Sequence, residues 1–446
     1  MNQENKMGIM PVNKLLITMS LPMIVSMLVQ AMYNIVDSIF VAQISENALT
    51  AVSLAFPLQN LMIAFAGGTA VGVNALLSRS LGEKNQKHVD QTAMHAIVIY
   101  VMTALVFMIG GLTLSNFFFS VQTNNQEIVN SGTIYAMIVV GCSFGLFGQF
   151  LFERLLQATG RTLFTMVTQG LGAIINIILD PIFIFGYFGL PKMGVAGAAL
   201  ATVTGQIIAF ILAVIFNLKY NHDISLQFKE FHFESLIIKQ IYSVGVPSII
   251  MQSIGSVMTF GMNTILITFS TTATAVFGVY FKLQSFVFMP VFGLNNGMIP
   301  IIAYNLGAKK KERMFKTIKL AMIYATVMML VGLLAFETIP ATLLSFFNAS
   351  DAMIAIGVPA LRFIAIHFIF AGYDIVCSAV FQAVGKGTYS LLTSLIRQLI
   401  VLLPSAYLLS LTGNVNLIWL SFPIAEIAAV ITSTVLFTKI KNHLSF

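Results

Sequence analysis

The sequence predicts an all-α integral membrane protein with twelve transmembrane helices in two pseudo-symmetric bundles of six. Three observations lead to this fold class: the composition, the spacing of the apolar runs, and an internal repeat. Of the 446 residues, 58% are hydrophobic and only 9% are charged, whereas a soluble globular domain has roughly 25% charged residues. A soluble protein of this composition would lack a polar surface, so lipid is the solvent that fits the chain.

The apolar runs are long enough to cross a bilayer, which requires roughly 20 residues per helix. Polar breaks separate them into twelve predicted spans, which begin near residues 14, 49, 92, 131, 163, 194, 239, 275, 315, 356, 389 and 415. The first run, from Leu15 to Val41, is too long for the apolar core of a signal peptide. Cys142 and Cys377 both fall inside apolar runs, so we expect packed thiols rather than a disulfide.

The distribution of lysine and arginine predicts the orientation of the spans. If the N-terminus is cytoplasmic, the cytoplasmic segments hold 19 of the 23 basic residues, and the outer loops hold only Lys192. An excess of lysine and arginine marks cytoplasmic loops, so both termini are expected to be cytoplasmic. The same distribution accounts for the formal charge of +7 without a nucleic-acid partner.

An internal repeat divides the chain into two similar halves, because four short motifs recur after 225 residues. The pairs are Leu21-Pro22 with Val246-Pro247, Leu58-Gln59 with Leu283-Gln284, Leu81-Gly82-Glu83-Lys84 with Leu306-Gly307-Ala308-Lys309, and Gln157-Ala158-Thr159-Gly160 with Gln382-Ala383-Val384-Gly385. We predict an N-terminal six-helix lobe over residues 1–220, a cytoplasmic linker over 221–238, and a C-terminal six-helix lobe over 239–446. A two-fold axis along the membrane normal would relate the lobes, with a substrate path between them.

Two carboxylates within the spans are the strongest candidates for a functional site, because ionisable groups inside a membrane are costly and usually functional. Asp37 lies on the first helix and Asp180 on the fifth, one turn from Asn176. Counted from the helix ends at about 1.5 Å per residue, these residues and Thr202 on the sixth helix share one outer layer. Such a site would hold a proton between the carboxylates, or Na⁺ on Asp37, Asn176 and Asp180.

The alternative is that Asp37 and Asp180 only hydrogen-bond helices together. After 225 residues, however, they correspond to Met262 and Ser405, so the second half lacks both acids. A requirement of the scaffold alone should appear in both halves. The difference therefore favours a first half that is specialised for coupling to an ion.

Several other polar residues lie within the spans. Gln30, Tyr33 and Asn34 share a helix face with Asp37, and Gln252 belongs to a polar face of the seventh helix that either lines a cavity or packs against a neighbour. Lys282 either faces the cavity or extends toward the membrane surface. The partners of two further acids, Asp374 and Glu426, are left open between Lys282 and Arg397. Glu153 is expected to pair with its neighbour Arg154 at the cytoplasmic surface.

Motifs for catalysis or for binding a cofactor do not stand out in the sequence. It contains no recognisable metal-ligand cluster, phosphate-binding glycine loop or catalytic triad, so we expect neither an enzyme nor a resident cofactor. No ATPase domain is recognisable either. Uphill transport by this chain would then depend on an ion gradient, with H⁺ or Na⁺ as the transported coupling ion.

A set of motifs, in order along nearly the whole chain, resembles the MATE (multidrug and toxic compound extrusion) family, with most similarity to its bacterial MepA-like members near the DinF branch. The motifs are Ser20-Leu21-Pro22, Tyr33-Asn34-Ile35-Val36-Asp37, Ser78-Arg79-Ser80-Leu81-Gly82, Gln157-Ala158-Thr159-Gly160-Arg161-Thr162, Asn176-Ile177-Ile178-Leu179-Asp180-Pro181, Gly194-Val195-Ala196-Gly197-Ala198-Ala199, Pro300-Ile301-Ile302-Ala303-Tyr304-Asn305 and Pro423-Ile424-Ala425-Glu426.

The resemblance implies a V-shaped pair of lobes in a bacterial cytoplasmic membrane that alternates access and exports cationic, amphiphilic compounds against inward Na⁺ or H⁺. It also implies that Asp37 and Asp180 couple the ion, with Asn176 and Thr202 beside them. Gln30, Tyr33 and Tyr135 fall where related members line the cavity of the N-terminal lobe. We expect a monomer in contact with membrane lipid.

Two other transporter classes fit the sequence less well. A flippase of lipid-linked sugars would be expected to place several basic residues in its central cavity, but only Lys282, Arg362 and Arg397 lie within predicted spans. A member of the major facilitator superfamily would carry an Asp-Arg pair with Gly-Arg-Arg after the second helix. The loop from Arg79 to Val89 lacks that signature.

Overall fold

A computed structural model describes residues 4–444 of the chain. Within this range eleven helical segments are long and apolar enough to span a membrane, and a further pair, bent by 52°, makes a twelfth. No strand occurs among the described residues. The predicted all-helical fold with twelve spans is therefore confirmed, and the observed spans begin within six residues of the predicted positions.

The first half, residues 4–220, contains eight helices, of which α5 and α6 together form one span. They are α1 (Lys6–Ile9), α2 (Val12–Ala42), α3 (Glu46–Gly82), α4 (Gln86–Gln122), α5 (Gln126–Val139), α6 (Phe144–Ala158), α7 (Thr162–Phe185) and α8 (Val195–Tyr220).

The second half, residues 235–444, contains ten helices and a π-helical turn, Ile396–Leu402, between α15 and α16. They are α9 (Ser235–Leu266), α10 (Thr271–Gly307), α11 (Lys311–Thr338), α12 (Pro340–Ser345), α13 (Asp351–Ala365), α14 (Phe368–Ala383), α15 (Gly387–Leu395), α16 (Leu403–Ser410), α17 (Val415–Ile418) and α18 (Ser421–Leu444). The bent span consists of α13 and α14.

Local sequence sets matching helix boundaries in the two halves. The Ser45 hydroxyl accepts the N–H of Ala48 at 3.0 Å and begins α3, and Ser270 caps Ala273 at the same distance to begin α10. Such caps satisfy amide groups that have no partner within the helix. Both residues of the second cap lie 225 positions after those of the first, so the repeat seen in the sequence also governs where helices start.

The ends of α3 and α10 lie at one face of the bundle together with the N-terminal segment and most of the basic residues. We call this the basic face, and the other end the far face. At the basic face the halves meet along glycines, because a β-carbon at Gly82 would overlap the carbonyl oxygen of Tyr304, and one at Gly307 would overlap that of Arg79. Small residues of this kind let helix backbones approach closely inside a membrane.

The same contact is repeated deeper in the bundle. A β-carbon at Gly68 would lie 2.7 Å from the backbone nitrogen of Ile249, and one at Gly293 would lie 2.7 Å from that of Ile24. Each residue of the second contact lies 225 positions from its counterpart in the first. We call these paired close approaches the glycine seam, which joins the two halves on the basic-face side.

The N-terminal segment around α1 contacts both halves at the basic face. Next to α1, Glu4 accepts a hydrogen bond from Lys310 Nζ at 2.5 Å, so the second half holds one end of the segment. Asn5 donates to the carbonyl oxygen of Thr159 at 3.0 Å, so the first half holds it too. Glu4 lies outside the spans, and the hydrogen bond from Lys310 lowers the pKa of its carboxyl below the ordinary value.

Candidate ion and substrate sites

The acids predicted to share a layer are brought together near the far face. Asp37 lies five residues before the end of α2, and Asp180 lies five residues before the end of α7, which packs against α2. At about 1.5 Å per residue both are about 8 Å inside their helix ends. Their carboxyl groups lie within hydrogen-bonding reach of each other.

Asn176 and Thr202 complete the cluster. With its amide oriented to satisfy its neighbours, Asn176 donates to Asp180 Oδ2 at 3.0 Å and accepts from the backbone N–H of Thr202 at 2.8 Å. The Tyr33 hydroxyl, one turn before Asp37 on α2, lies near the Thr202 side chain. Three helices thus converge on one polar cluster, as the helix-depth estimate predicted.

The carboxyl groups themselves are incompletely partnered. Oδ1 of Asp37 and Oδ1 of Asp180 are buried without a hydrogen-bond donor, and the Asp180 side chain is fully buried. No lysine or arginine among residues 4–444 forms an ion pair with either. Two ionised carboxylates in contact repel each other strongly where the dielectric constant is low. This geometry therefore fits a shared proton, or a small cation bound between the oxygens.

A cavity of about 460 Å³ lies beside the acid cluster, mainly within the first half, with Ser285 and Met289 of α10 closing one side. Gln30, Tyr33 and Asn34 line it, as predicted. Asn176 and Thr202 line it as well, whereas Asp37 and Asp180 lie behind them. Asn176 and Thr202 thus lie between the acid pair and the cavity, and Asn176 contacts both.

The wall contains four further amides, those of Gln59, Gln149, Gln169 and Gln206. The helical period of the sequence places Gln169 on the same side of its helix as Asn176 and Asp180. The other three lie on three different helices, so the sequence alone gives them no common direction. Tyr135 was expected on the surface of the cavity. It is 2% exposed and stands behind the wall, where its hydroxyl accepts a 2.9 Å hydrogen bond from the amide of Gln59.

Glu153 differs from its predicted role at the cytoplasmic surface. It is 3% exposed and does not form an ion pair with Arg154, because adjacent residues on a helix point about 100° apart. Its carboxylate instead accepts hydrogen bonds from Gln149, Thr168 and Gln169. The expected pair between Glu153 and Arg154 is therefore wrong.

A second cavity, of about 370 Å³, lies mainly in the second half, and Gln252 lines it. Arg397 also lines it, and lies 3.5 Å from Asp374 and 3.6 Å from Glu426. The hydroxyl of Ser433 donates a further hydrogen bond to Asp374. The structure thus decides the question left open by the sequence, because both acids pair with Arg397 and neither pairs with Lys282.

Lys282 lies outside both cavities. Its ammonium stands 5.9 Å from the ring centre of Phe347, which follows α12 at the far face. The long side chain of lysine allows its charge to reach toward the membrane surface while its stem stays in the span. Of the two predicted alternatives, the extension toward the surface matches this position.

The comparison with known proteins finds the same family in both halves of the chain. A family model described as MatE matches residues 22–182 and again residues 247–408. The chain belongs to the MATE family. Among curated relatives, the multidrug export protein MepA of Staphylococcus haemolyticus (strain JCSC1435) is 26% identical over 434 residues, covering 97% of this chain and 94% of that protein. MepA of Staphylococcus aureus (strain MRSA252) is 24% identical and covers 98% and 95%.

Solved structures give the same fold. An outward-facing multidrug resistance MATE transporter of the MOP superfamily superposes with a TM-score of 0.93 at 23% identity, covering 100% of this chain and 99% of the other. A MOP superfamily transporter from Pyrococcus furiosus, described as having a binding pocket of reversed polarity, has a TM-score of 0.91 at 23% identity. The MATE-family resemblance and its MepA-like character are therefore confirmed.

Proposed function

We propose that this MATE-family chain exports cationic, amphiphilic compounds from a bacterial cell in exchange for inward H⁺ or Na⁺. The observation that carries the proposal is the contact between the Asp37 and Asp180 carboxyl groups, without a basic side chain to balance them. A site of this kind binds a small exchangeable cation more readily than it stays empty.

Ion occupancy and cavity shape are linked through α2. When a proton or Na⁺ leaves the acid pair, the two carboxylates repel each other, which favours a movement of α2 relative to α7. Gln30, Tyr33 and Asn34 lie on α2 and line the cavity, so that movement changes the surface presented to a substrate. An ion that prefers one arrangement of α2 shifts the population toward it, which is the requirement for coupled transport.

The lining of the cavity in the first half favours a cationic or amphiphilic substrate. It combines aromatic side chains, including Phe56 and Phe150, with amides and methionines, and contains no lysine or arginine among the described lining residues. Aromatic faces attract organic cations, and methionine adapts to ligands of different shape. The relatives named as multidrug export proteins support the same assignment.

The flippase alternative gains no support from the cavities. An anionic, lipid-linked pyrophosphate needs several unpaired basic groups, but the described lining residues of both cavities include only Arg397, which already faces two carboxylates. We further propose that residues 1–220 and 239–446 act as two lobes of a monomer surrounded by lipid, with the basic face and both termini in the cytoplasm. The coupling ion is the only cofactor in this scheme.

Reconstituted proteoliposomes test the proposal. Transport of a fluorescent cation such as ethidium is measured with a Na⁺ gradient alone and with a pH gradient alone. One gradient should drive transport by the native chain, and Asp37→Asn should abolish it while leaving the thermal unfolding temperature close to the native value. Asp351→Asn, at the exposed start of α13, is the matched control. Full gradient-driven transport by Asp37→Asn would refute the assigned coupling site.

A further inference from the structure

Glu153 forms a second buried acidic site, at the end of the first-half cavity remote from Asp37 and Asp180. Its Oε1 accepts hydrogen bonds from the Thr168 hydroxyl at 2.7 Å and from the Gln149 amide at 3.0 Å. Its Oε2 accepts from the Gln169 amide at 2.8 Å. Every donor is neutral, so this carboxylate is held in place without an ion pair.

The charged surroundings of Glu153 are sparse. Arg154, the next residue on α6, is buried, and its Nε and Nη1 have no partner, while its charge still acts on Glu153 through space. Besides Glu153, Tyr100 on the neighbouring helix α4 is a titratable group that acts on Arg154. The facing part of α7 presents Thr165, Thr168 and Gln169, and none of these is a titratable group.

The site communicates with the cavity through two of its own hydrogen-bond partners. Gln149 and Gln169 donate to Glu153 and also line the cavity. Gln169 lies eleven residues before Asp180 on the same helix, which at about 1.5 Å per residue places the two acidic sites about 16 Å apart along α7. Asn176, one turn before Asp180 on the same helix, lines the cavity at the Asp180 end.

The amide partners suit a carboxyl group that changes charge. An amide offers both N–H groups and a carbonyl oxygen, so it can serve an ionised or a protonated acid after rotating by half a turn. Oε1 of Gln169 is buried and has no donor in the present arrangement. If Glu153 binds a proton, its O–H can donate to that oxygen, and the Thr168 hydroxyl can serve either form. Both charge states therefore keep hydrogen-bond partners.

We propose that Glu153 is a second proton-binding site that receives the proton from the Asp37–Asp180 pair through the cavity and releases it toward the basic face. This rests on the proposed function, and it specifies H⁺ as the coupling ion. One proton leaves the acid pair, crosses cavity water, binds a carboxylate oxygen of Glu153, and then departs to solution. A proton from the outer solution then binds to the acid pair again, so the chain ends each cycle with its original charge.

The test compares Glu153→Gln with the native chain in two assays. The first is ethidium transport driven by a pH gradient. The second is ethidium-for-ethidium exchange in the absence of any ion gradient. We expect Glu153→Gln to lose the pH-driven transport and to retain the exchange, because the cavity and Asp37 remain in place. Unchanged pH-driven transport in Glu153→Gln would overturn the proposal, and so would transport by the native chain driven by Na⁺ alone.

Two further variants protect the test against a folding defect. Glu153→Asp keeps a titratable group and should restore part of the pH-driven transport. Thr168→Val removes one donor without removing the acid, and should shift the midpoint of the pH profile without loss of transport. An unshifted profile in Thr168→Val, with Glu153→Asp as inactive as Glu153→Gln, would indicate a purely structural acid and reject the proposal. If the native chain transports nothing under either gradient, it is the proposed function that fails.

Discussion

The two halves of the chain share a backbone plan but arrange charge in opposite ways. In the first half, Asp37 and Asp180 contact each other without a basic partner. In the second half, Asp374 and Glu426 lie either side of Arg397, which lines the cavity there. An acid with a permanent cation beside it has little need of an exchangeable one. The comparison therefore supports the proposal that ion exchange takes place in the first half.

The repeat shows which residues account for the difference in charge between the two cavities. At the offset of 225 residues, Arg397 corresponds to Gly172 and Asp374 corresponds to Gln149. Both counterparts line the first-half cavity. Where the second half places a guanidinium, the first half has a glycine that packs closely against α8, because a β-carbon at Gly172 would lie 3.1 Å from the carbonyl oxygen of Gly205. Where the second half has a fixed carboxylate, the first half has an amide that bonds Glu153.

The largest effect should come from removing the acids one half at a time. Asp180→Asn should abolish gradient-driven transport, because the remaining Asp37 no longer has a like charge to share an ion with. Transport by Asp374→Asn should still depend on the gradient, since Arg397 still has Glu426 as partner. Initial rates measured against the size of the imposed gradient distinguish the two. Equal losses in both variants would break the proposed contrast between the halves.

The next effect concerns stability. Arg397→Met leaves two buried carboxylates without their cation, and breaking a buried ion pair from one side costs about 3–5 kcal/mol. A marked fall in the thermal unfolding temperature of the purified protein is therefore expected. Arg362→Met is the matched control, because Arg362 is exposed and its Nε donates to the carbonyl oxygen of Glu337 at 3.3 Å. Comparable unfolding temperatures for Arg397→Met and the native chain would contradict a permanent cation.

A smaller effect is expected behind the wall of the first cavity. Tyr135→Phe removes the acceptor of the Gln59 amide, and one neutral hydrogen bond contributes about 1 kcal/mol. Ethidium should bind about fivefold more weakly, because Gln59 can then rotate away from the cavity wall. Tyr407→Phe, on an exposed tyrosine of α16, should leave the affinity unchanged. Binding is measured by fluorescence anisotropy, and native affinity in Tyr135→Phe would exclude this supporting role.

The smallest effect concerns the N-terminal segment around α1, which contacts both halves. Because the pKa of Glu4 is lowered, its ionised carboxylate stabilises the folded state. This stabilisation is fully present above the ordinary pKa of glutamate and is lost as the pH falls through the lowered value. Glu4→Gln at neutral pH should reproduce that loss and speed hydrogen exchange in α1. Glu337→Gln, near the far-face end of α11, is the control. Equal rates of hydrogen exchange in α1 for both variants would show that Glu4 does not hold α1 in place.

Much of this arrangement could be predicted from the sequence, since it follows from local rules. Apolar length fixes the spans, and helical spacing places Asn176 beside Asp180. Pairing between distant helices is a tertiary property, which is why the partner of Arg397 stayed open. Glu153 was assigned to the wrong partner because adjacency in sequence is not adjacency on a helix. The roles of Asp37 and Asp180 in transport remain predictions for the experiments above.

The glycine seam has a consequence for the origin of the molecule. Gly68 meets Ile249 just as Gly293 meets Ile24, so each half offers the other the same surface. A contact made twice by one patch is isologous, as in a two-fold symmetric homodimer. A six-helix chain bearing one copy of the patch would therefore fit against a second copy of itself. Fusion of two such copies would keep the joint while freeing each half to acquire acids that the other lacks.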